Sequence, residues 1–234
     1  MREGKIEMFA FDINQIEEAR RIVEDLQFPE EFGSIDDVDI DSMLNTEDDY
    51  TIDSGVSKLV INIDKFPFVI KIPFRGQWLE MDSDYDDEDT ELNFCPFYGA
   101  MPYGQCDNYC ADELQKTRAV QEAGFGEFVP EMMYLCTVDG LDIFIQEKVK
   151  EQFCSRSSIH TTEDSFNRAK RIHSPFEREW LALVIDCYGE DEWAAFSEWV
   201  KSEEPEIFSD CHTGNYGIRM DGTPVIFDIS GFRD

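Results

Sequence analysis

The sequence predicts an α+β protein in two lobes. Three observations carry this. Apolar, β-branched runs separated by turn signals fill the stretch from Tyr50 to Glu147, with one helical pattern among them. Helical periodicity dominates from Thr162 to Glu203, and a short hairpin pattern follows. The two kinds of pattern are segregated along the chain, which favours α+β over alternating α/β. At 234 residues the chain has room for one large domain or two small lobes. The expected division is an N-terminal helical extension (1–49), a β-rich lobe (50–147) and a helical lobe (148–234), with a cleft near Glu147 to Lys150.

Each element follows from local pattern. Ile16, Ala19, Ile22, Val23 and Leu26 recur at helical spacing within Asn14 to Leu26, and Phe28-Pro29 stops that helix. Ser34 to Tyr50 is acidic and weakly periodic, a loop with one helical turn at Asp41 to Leu44. Leu59 to Ile63 and Phe68 to Ile72 read as strands, and Ile63-Asp64-Lys65-Phe66-Pro67 as their turn. Glu80 to Glu91 is so acid-rich that it reads as a solvated insertion. Asn108 to Ala123 reads as a helix with Cys110, Leu114, Thr117 and Val120 on one face, ended by Gly124 to Gly126. Strands follow at Glu131 to Val138 and Leu141 to Glu147, joined by Asp139-Gly140. Three helices come next, at Thr162 to Arg171, Pro175 to Tyr188 and Asp191 to Glu203. In the last, Trp193, Phe196 and Trp199 form a core face; Phe125 and Phe128 also read as core. Strands Tyr216 to Arg219 and Val225 to Phe227 flank an Asp221-Gly222 turn.

Composition narrows the function classes. Hydrophobic residues make up 42% and aromatics 13%, enough for a packed core. Against 20 basic residues stand 52 acidic ones, a formal charge of −32. Such a field repels nucleic acid and anionic membrane and favours a basic protein partner. It also works against ATP, so local cations must offset it wherever phosphates bind. An acidic protein can also imitate DNA, although these carboxylates show no regular phosphate-like spacing. No long apolar core follows Met1-Arg2-Glu3-Gly4-Lys5, so no signal peptide is expected, and no run approaches the roughly 20 residues of a membrane span. Seven cysteines without paired spacing fit a reducing, cytoplasmic setting. Cys95, Cys106 and Cys110 lack a CxxC pair and read as thiols rather than metal ligands. His160, His173 and His212 have no metal-ligand spacing.

The chemistry concentrates near the C-terminal end of the sequence. In Ser209-Asp210-Cys211-His212-Thr213-Gly214-Asn215 an Asp precedes an Asn by five positions. Asp228 closes an apolar run thirteen positions after that Asn. Phosphoryl transfer needs such a set: one carboxylate to orient an attacking hydroxyl, and an amide and a second carboxylate for Mg²⁺. A loop held by Asx turns also accounts for Asp210 and Asn215, but not for Asp228.

In these pieces the chain resembles the protein-kinase-like superfamily, including its aminoglycoside- and choline-kinase branch. Ser209 to Asn215 looks like the catalytic loop, and Asp228-Ile229-Ser230-Gly231 looks like the metal-binding Asp-Phe-Gly element with one residue inserted. The resemblance implies a bilobal kinase-like fold with a β-rich N-lobe. It implies Asp210 as catalytic base and Asn215 and Asp228 as Mg²⁺ ligands. Val69-Ile70-Lys71-Ile72 resembles the strand whose lysine grips the α- and β-phosphates. The other reading of Lys71 is an edge-strand lysine with its head in solvent. The resemblance implies a helix glutamate as partner for Lys71; Glu113 is the first choice, Asp112 and Glu122 the runners-up, and a solvated glutamate the alternative. Asp53-Ser54-Gly55-Val56-Ser57-Lys58 occupies the place of the glycine-rich loop, with Ser54, Gly55 and Ser57 as phosphate contacts, or is an ordinary hairpin turn. Ile145-Gln146-Glu147-Lys148-Val149 looks like the hinge, where backbone groups of Glu147 and Val149 would meet adenine.

The chain also departs from that pattern. Phe208 and Ser209 replace the usual residues before the catalytic Asp, and the sequence ends three residues after Gly231. The expectation is therefore a reduced helical C-lobe without an activation segment. The expected activity is an ATP- and Mg²⁺-dependent phosphotransferase whose acceptor is open. The alternative is a catalytically silent, kinase-like acidic protein that binds or inhibits a basic partner, including a DNA-mimicking viral inhibitor.

Overall fold

Alternation along the strands gives one sheet two chemically different faces, and this organises the N-terminal half. The computed structural model describes residues 9–27, 40–54, 58–73, 109–151, 175–208 and 213–229. The chain divides into two compact units, one mainly Ala10–Leu114 with Met132–Glu147, the other mainly Gln115–Glu131 with Lys148–Phe232.

The first unit holds α1 (Ile13–Val23), the single turn α2 (Ile40–Met43) and five strands: β1 (Tyr50–Ser54), β2 (Lys58–Ile63), β3 (Phe68–Pro73), β4 (Met132–Val138) and β5 (Leu141–Glu147). All pairs are antiparallel, in the order β1-β2-β3-β5-β4. Successive side chains on a strand point to opposite faces. One face carries Leu59, Ile61, Ile63, Phe68, Ile70, Ile72, Ile143 and Ile145, all buried in a single apolar cluster. Ile16, Ala19, Ile22, Val23 and Leu26 belong to the same cluster. The opposite face carries Lys58, Lys71, Phe144 and Gln146, also buried. Phe144 joins Met132 and the first turns of α3 (Tyr109–Glu122), through Cys110 and Leu114.

Local chemistry fixes α1. Asp12 is its N-cap and accepts the Asn14 N–H at 2.7 Å. Regular helix ends at Val23, earlier than periodicity suggests, but the Leu26 N–H bonds the Val23 carbonyl at 3.1 Å and keeps Leu26 in the core. The register of β4 shifts between Tyr134 and Cys136, so Leu135 is an extra residue in the strand. Arg20 Nε donates to the Leu135 carbonyl at 2.9 Å, which ties α1 to that bulge. Lys65, in the β2–β3 turn, pairs with both Glu18 and Asp48. The β4–β5 turn is Asp139-Gly140, both at positive φ (49° and 73°), as a type I′ hairpin requires.

The second unit holds α4 (Pro175–Tyr188), α5 (Glu190–Glu203) and a three-stranded antiparallel sheet, β6 (Val149–Glu151), β7 (Tyr216–Arg219) and β8 (Pro224–Ile226). Strand β6 is not apparent in the sequence, because three residues are too few to display a period. Its core is aromatic: Phe128 stacks on Phe196 at 4.4 Å between centroids, and Trp180 on Tyr216 at 4.7 Å. Trp193 and Trp199 are only partly buried against this core, while Phe196 and Phe128 are fully inside. The Tyr188 hydroxyl lies 2.8 Å from the Pro224 carbonyl and 3.0 Å from that of Glu127, and burial pushes its ionisation far up, so it stays neutral. The expected helix at 162–171 and the acidic insertion at 80–91 lie outside the described residues.

Truncating Phe128 to Ala should cost about 3–5 kcal/mol, read as a lower urea midpoint, because a fully buried ring and its stack on Phe196 are lost together. A pH effect is expected at Glu127. Burial raises its pKa above the ordinary 4.5, and Glu192 nearby adds to this. A raised folded pKa means the folded chain binds the proton more tightly, so the ionised form costs stability at neutral pH and the cost fades as pH falls. Glu127→Gln should therefore raise Tm at neutral pH and leave it unchanged once native Glu127 is protonated.

Candidate functional site

The polar face of the five-stranded sheet surrounds one carboxylate. Lys71 sits at the centre of β3, opposite Val60 of β2 and Phe144 of β5. Its side chain therefore turns away from the α1 face, onto the side where α3 packs. Glu113 lies between Cys110 and Leu114, whose burial against Met132 and Phe144 sets the rotation of the helix. The two side chains meet: Lys71 Nζ donates to Glu113 Oε1 at 2.9 Å and to Oε2 at 2.8 Å. Lys71 is 3% exposed and Glu113 is 0%. A lysine so deeply buried is stable only with such a partner. This geometry selects buried pairing over a solvent-facing lysine. Among the runners-up, Asp112 is buried one position before Glu113, and Glu122 is exposed.

Two further residues complete the cluster. Gln146 Nε2 donates to Glu113 Oε1 at 2.9 Å. Lys58 Nζ lies 3.6 Å from Glu113 Oε2, an ion-pair distance rather than a hydrogen bond. Neither stands out by residue type, yet both follow from strand parity. Lys58 is two residues before Val60, which faces Lys71 across the hairpin, and Gln146 is two residues after Phe144, which faces it from the other side.

A second arrangement forms at the open end of the β7–β8 hairpin. A 3₁₀ turn, Thr213–Asn215, leads into β7. The Phe227 N–H donates to the Asn215 carbonyl at 2.9 Å, extending the ladder past Tyr216 and Ile226. The Asn215 side-chain amide donates to the Asp228 carbonyl at 3.3 Å. Asn215 and Asp228, thirteen positions apart, are thus held side by side. Asn215 is 3% exposed. Asp228 adopts φ of +57°, in the left-handed region that a non-glycine residue enters rarely. No hairpin turn requires it, unlike Asp139, and such strain persists only where packing imposes it. Gly217 contributes here: a Cβ at this position would lie 2.9 Å from the Phe227 ring, so glycine leaves room for the side chain of the residue before Asp228.

Glu147 ends β5, opposite Phe68, and is buried; Val149 opens β6, opposite Arg219. They are the residues through which the chain leaves the five-stranded sheet and enters the three-stranded one. Ser54 ends β1 opposite Leu59. Gly55, Ser57 and Asp210 lie outside the described residues, as do His160, His173, His212, Cys95 and Cys106. Among the described residues, Cys110 is a buried free thiol, and no three His, Cys, Asp or Glu side chains gather as a metal cage. No described helix is long and apolar enough to cross a membrane. No protein-family model matches the chain, and comparison with curated proteins yields no match.

The shared carboxylate predicts an asymmetry. Glu113→Ala removes the common acceptor of Lys71, Lys58 and Gln146, and should cost about 3–5 kcal/mol. Lys71→Met should cost less, because Lys58 and Gln146 remain on the carboxylate. Urea unfolding of both variants checks the order, and equal or reversed costs would contradict it.

Proposed function

We propose that this protein is a Mg²⁺- and ATP-dependent phosphotransferase of the protein-kinase-like kind, with a bilobal fold. The observation that carries the reading is the buried Lys71–Glu113 pair, bidentate at 2.8 and 2.9 Å, on the central strand of an antiparallel sheet. An ion pair in a dry setting is a poor stabiliser compared with packed apolar residues, so its presence calls for a role beyond folding. In this reading Glu113 and Gln146 hold Lys71 extended, and the lysine offers its ammonium to phosphate oxygens. The donor set of Asn215 and Asp228 fits Mg²⁺, since amide and carboxylate oxygens are the hard ligands it prefers. The strained backbone at Asp228 supports the same assignment. Asp210, assigned from sequence, would orient the acceptor hydroxyl. Bound Mg²⁺ would supply neutralisation of the charge on the transferring phosphoryl group.

A second reading is favoured by the formal charge of −32: an acidic protein that binds or inhibits a basic partner, DNA mimicry included, without turnover. It predicts salt-sensitive, nucleotide-independent binding, and affinity unchanged between low and high salt would remove it.

The deciding measurement for the first reading is thermal denaturation with ATP and Mg²⁺. At 100-fold excess over Kd the native chain should gain about 2.7 kcal/mol, a rise of about 5–10 °C. Lys71→Ala and Asp228→Ala should each abolish the rise. No shift of the native chain at millimolar ATP would overturn the proposal, and a variant that keeps the rise would remove its residue from the nucleotide-binding role. Mg²⁺ with γ-labelled ATP and a cell extract then reads transfer itself.

A further inference from the structure

Asn62 brings an unused hydrogen-bond acceptor to the Lys71 face of the five-stranded sheet. It stands in β2, two positions beyond Val60, which pairs with Lys71, so its side chain shares the face of that lysine. On its other side it pairs with Thr51 of β1. Asn62 Nδ2 donates to Thr51 Oγ1 at 3.4 Å. Asn62 Oδ1 is shielded from solvent and accepts no hydrogen bond among the described residues. A shielded amide oxygen without a donor costs stability. An apolar residue would avoid that cost, and Val60 and Val69, half-buried on the same face, show that one fits there. The unmet acceptor therefore calls for a donor from outside the chain. The tether to Thr51 is long and Thr51 is exposed, so the amide can turn its oxygen toward an arriving group.

We propose that Asn62 Oδ1, with the Thr51 hydroxyl beside it, binds the ribose diol of a nucleotide whose phosphates lie on Lys71. The proposal rests on reading Lys71 as a phosphate-holding lysine, and it names the sugar class that the same site accepts. Spacing carries the assignment. Diagonal neighbours on adjacent antiparallel strands lie about 7–8 Å apart, and Asn62 is such a neighbour of Lys71. A ribose hydroxyl is only a few bonds from the inner phosphate, within that reach, whereas the amino group of a base lies beyond the sugar. The chemistry agrees. Each hydroxyl of a diol both donates and accepts, so one donates to Asn62 Oδ1 while the other accepts the Thr51 O–H. Val60 and Val69 offer an apolar floor to the carbon face of the bound ring. Ribonucleotides then bind more tightly than deoxyribonucleotides.

The test is calorimetric titration of the full chain, with Mg²⁺, against ATP, its 2′-deoxy and 3′-deoxy forms, ITP, adenosine and the two deoxyadenosines. In the native protein loss of either hydroxyl should weaken binding about tenfold. Asn62→Leu should remove the penalty for one deoxy form and Thr51→Val for the other, and neither should change the ratio of ATP to ITP. Asn62→Ala serves if the Leu variant does not fold. Deoxy forms that bind the native chain as ATP does would overturn the proposal and leave the phosphotransferase reading standing. Asn62→Leu weakening every ligand equally marks a structural role and also overturns it. An altered ratio of ATP to ITP in that variant moves the contact to the base and overturns the ribose assignment. Adenosine preferred over its deoxy forms through Asn62, with ATP no tighter than adenosine, would keep the ribose site and remove the phosphate role of Lys71. Binding of neither ATP nor adenosine to the native chain would overturn both.

Discussion

The buried carboxylate of Glu113 is the constraint to which the rest of the N-terminal unit is fitted. A fully enclosed negative charge must be met by donors at fixed distances, and here they come from three separate strands. That requirement fixes the rotation of α3, because Glu113 faces the sheet only if Cys110 and Leu114 pack on Met132 and Phe144. It also fixes the register of β2, β3 and β5, since a slip by one residue would turn Lys58, Lys71 or Gln146 onto the apolar face. Hydrophobic burial on the α1 side supplies most of the driving force. The polar side contributes specificity, because in this register all of these groups meet one carboxylate.

The other unit has an aromatic interior, with the buried cations Lys116 and Arg219 tied to acceptors around it. Aromatic rings fill its interior, and Arg219 donates to the backbone carbonyls of Glu127 and Val129, fastening β7 to the segment after α3. Within that frame the absence of a side chain at Gly217 matters as much as any contact. It admits the Phe227 ring, and the ladder bond between Phe227 and Asn215 then leaves the next residue little freedom. Asp228 follows directly, at a φ of +57°.

Much of this was legible in the sequence, and the reasons differ by element. Helix α4 and strands β5 and β7 have the bounds that pattern gives, because their apolar periods run to clear turn residues. Lys71 stood out because a lysine inside an apolar β-branched run demands a partner. Glu113 was one of several acids on its helix, and only the burial of its neighbours separates it from Glu122. Lys58 and Gln146 were missed for a physical reason. Each looks ordinary in its own strand, and their convergence depends on registers fixed by partners far along the chain. Strand β6 was missed because a three-residue strand has pairing but no pattern of its own. The fit of Asn215 beside Asp228 depends likewise on the hairpin register.

The division of the chain into units has a topological consequence. The five-stranded sheet is assembled from two separate stretches, and the stretch 115–131 between them belongs to the other unit. Strand β3, in the interior of the sheet, has β5 as one of its two neighbours. During synthesis on a ribosome, β1, β2 and β3 therefore emerge with one side of β3 unpaired, and that edge is capped only after Glu147 has cleared the exit tunnel. No single cut in the chain separates one unit from the other as a continuous polypeptide. Expressing either unit by itself would require joining segments that are separate in the sequence.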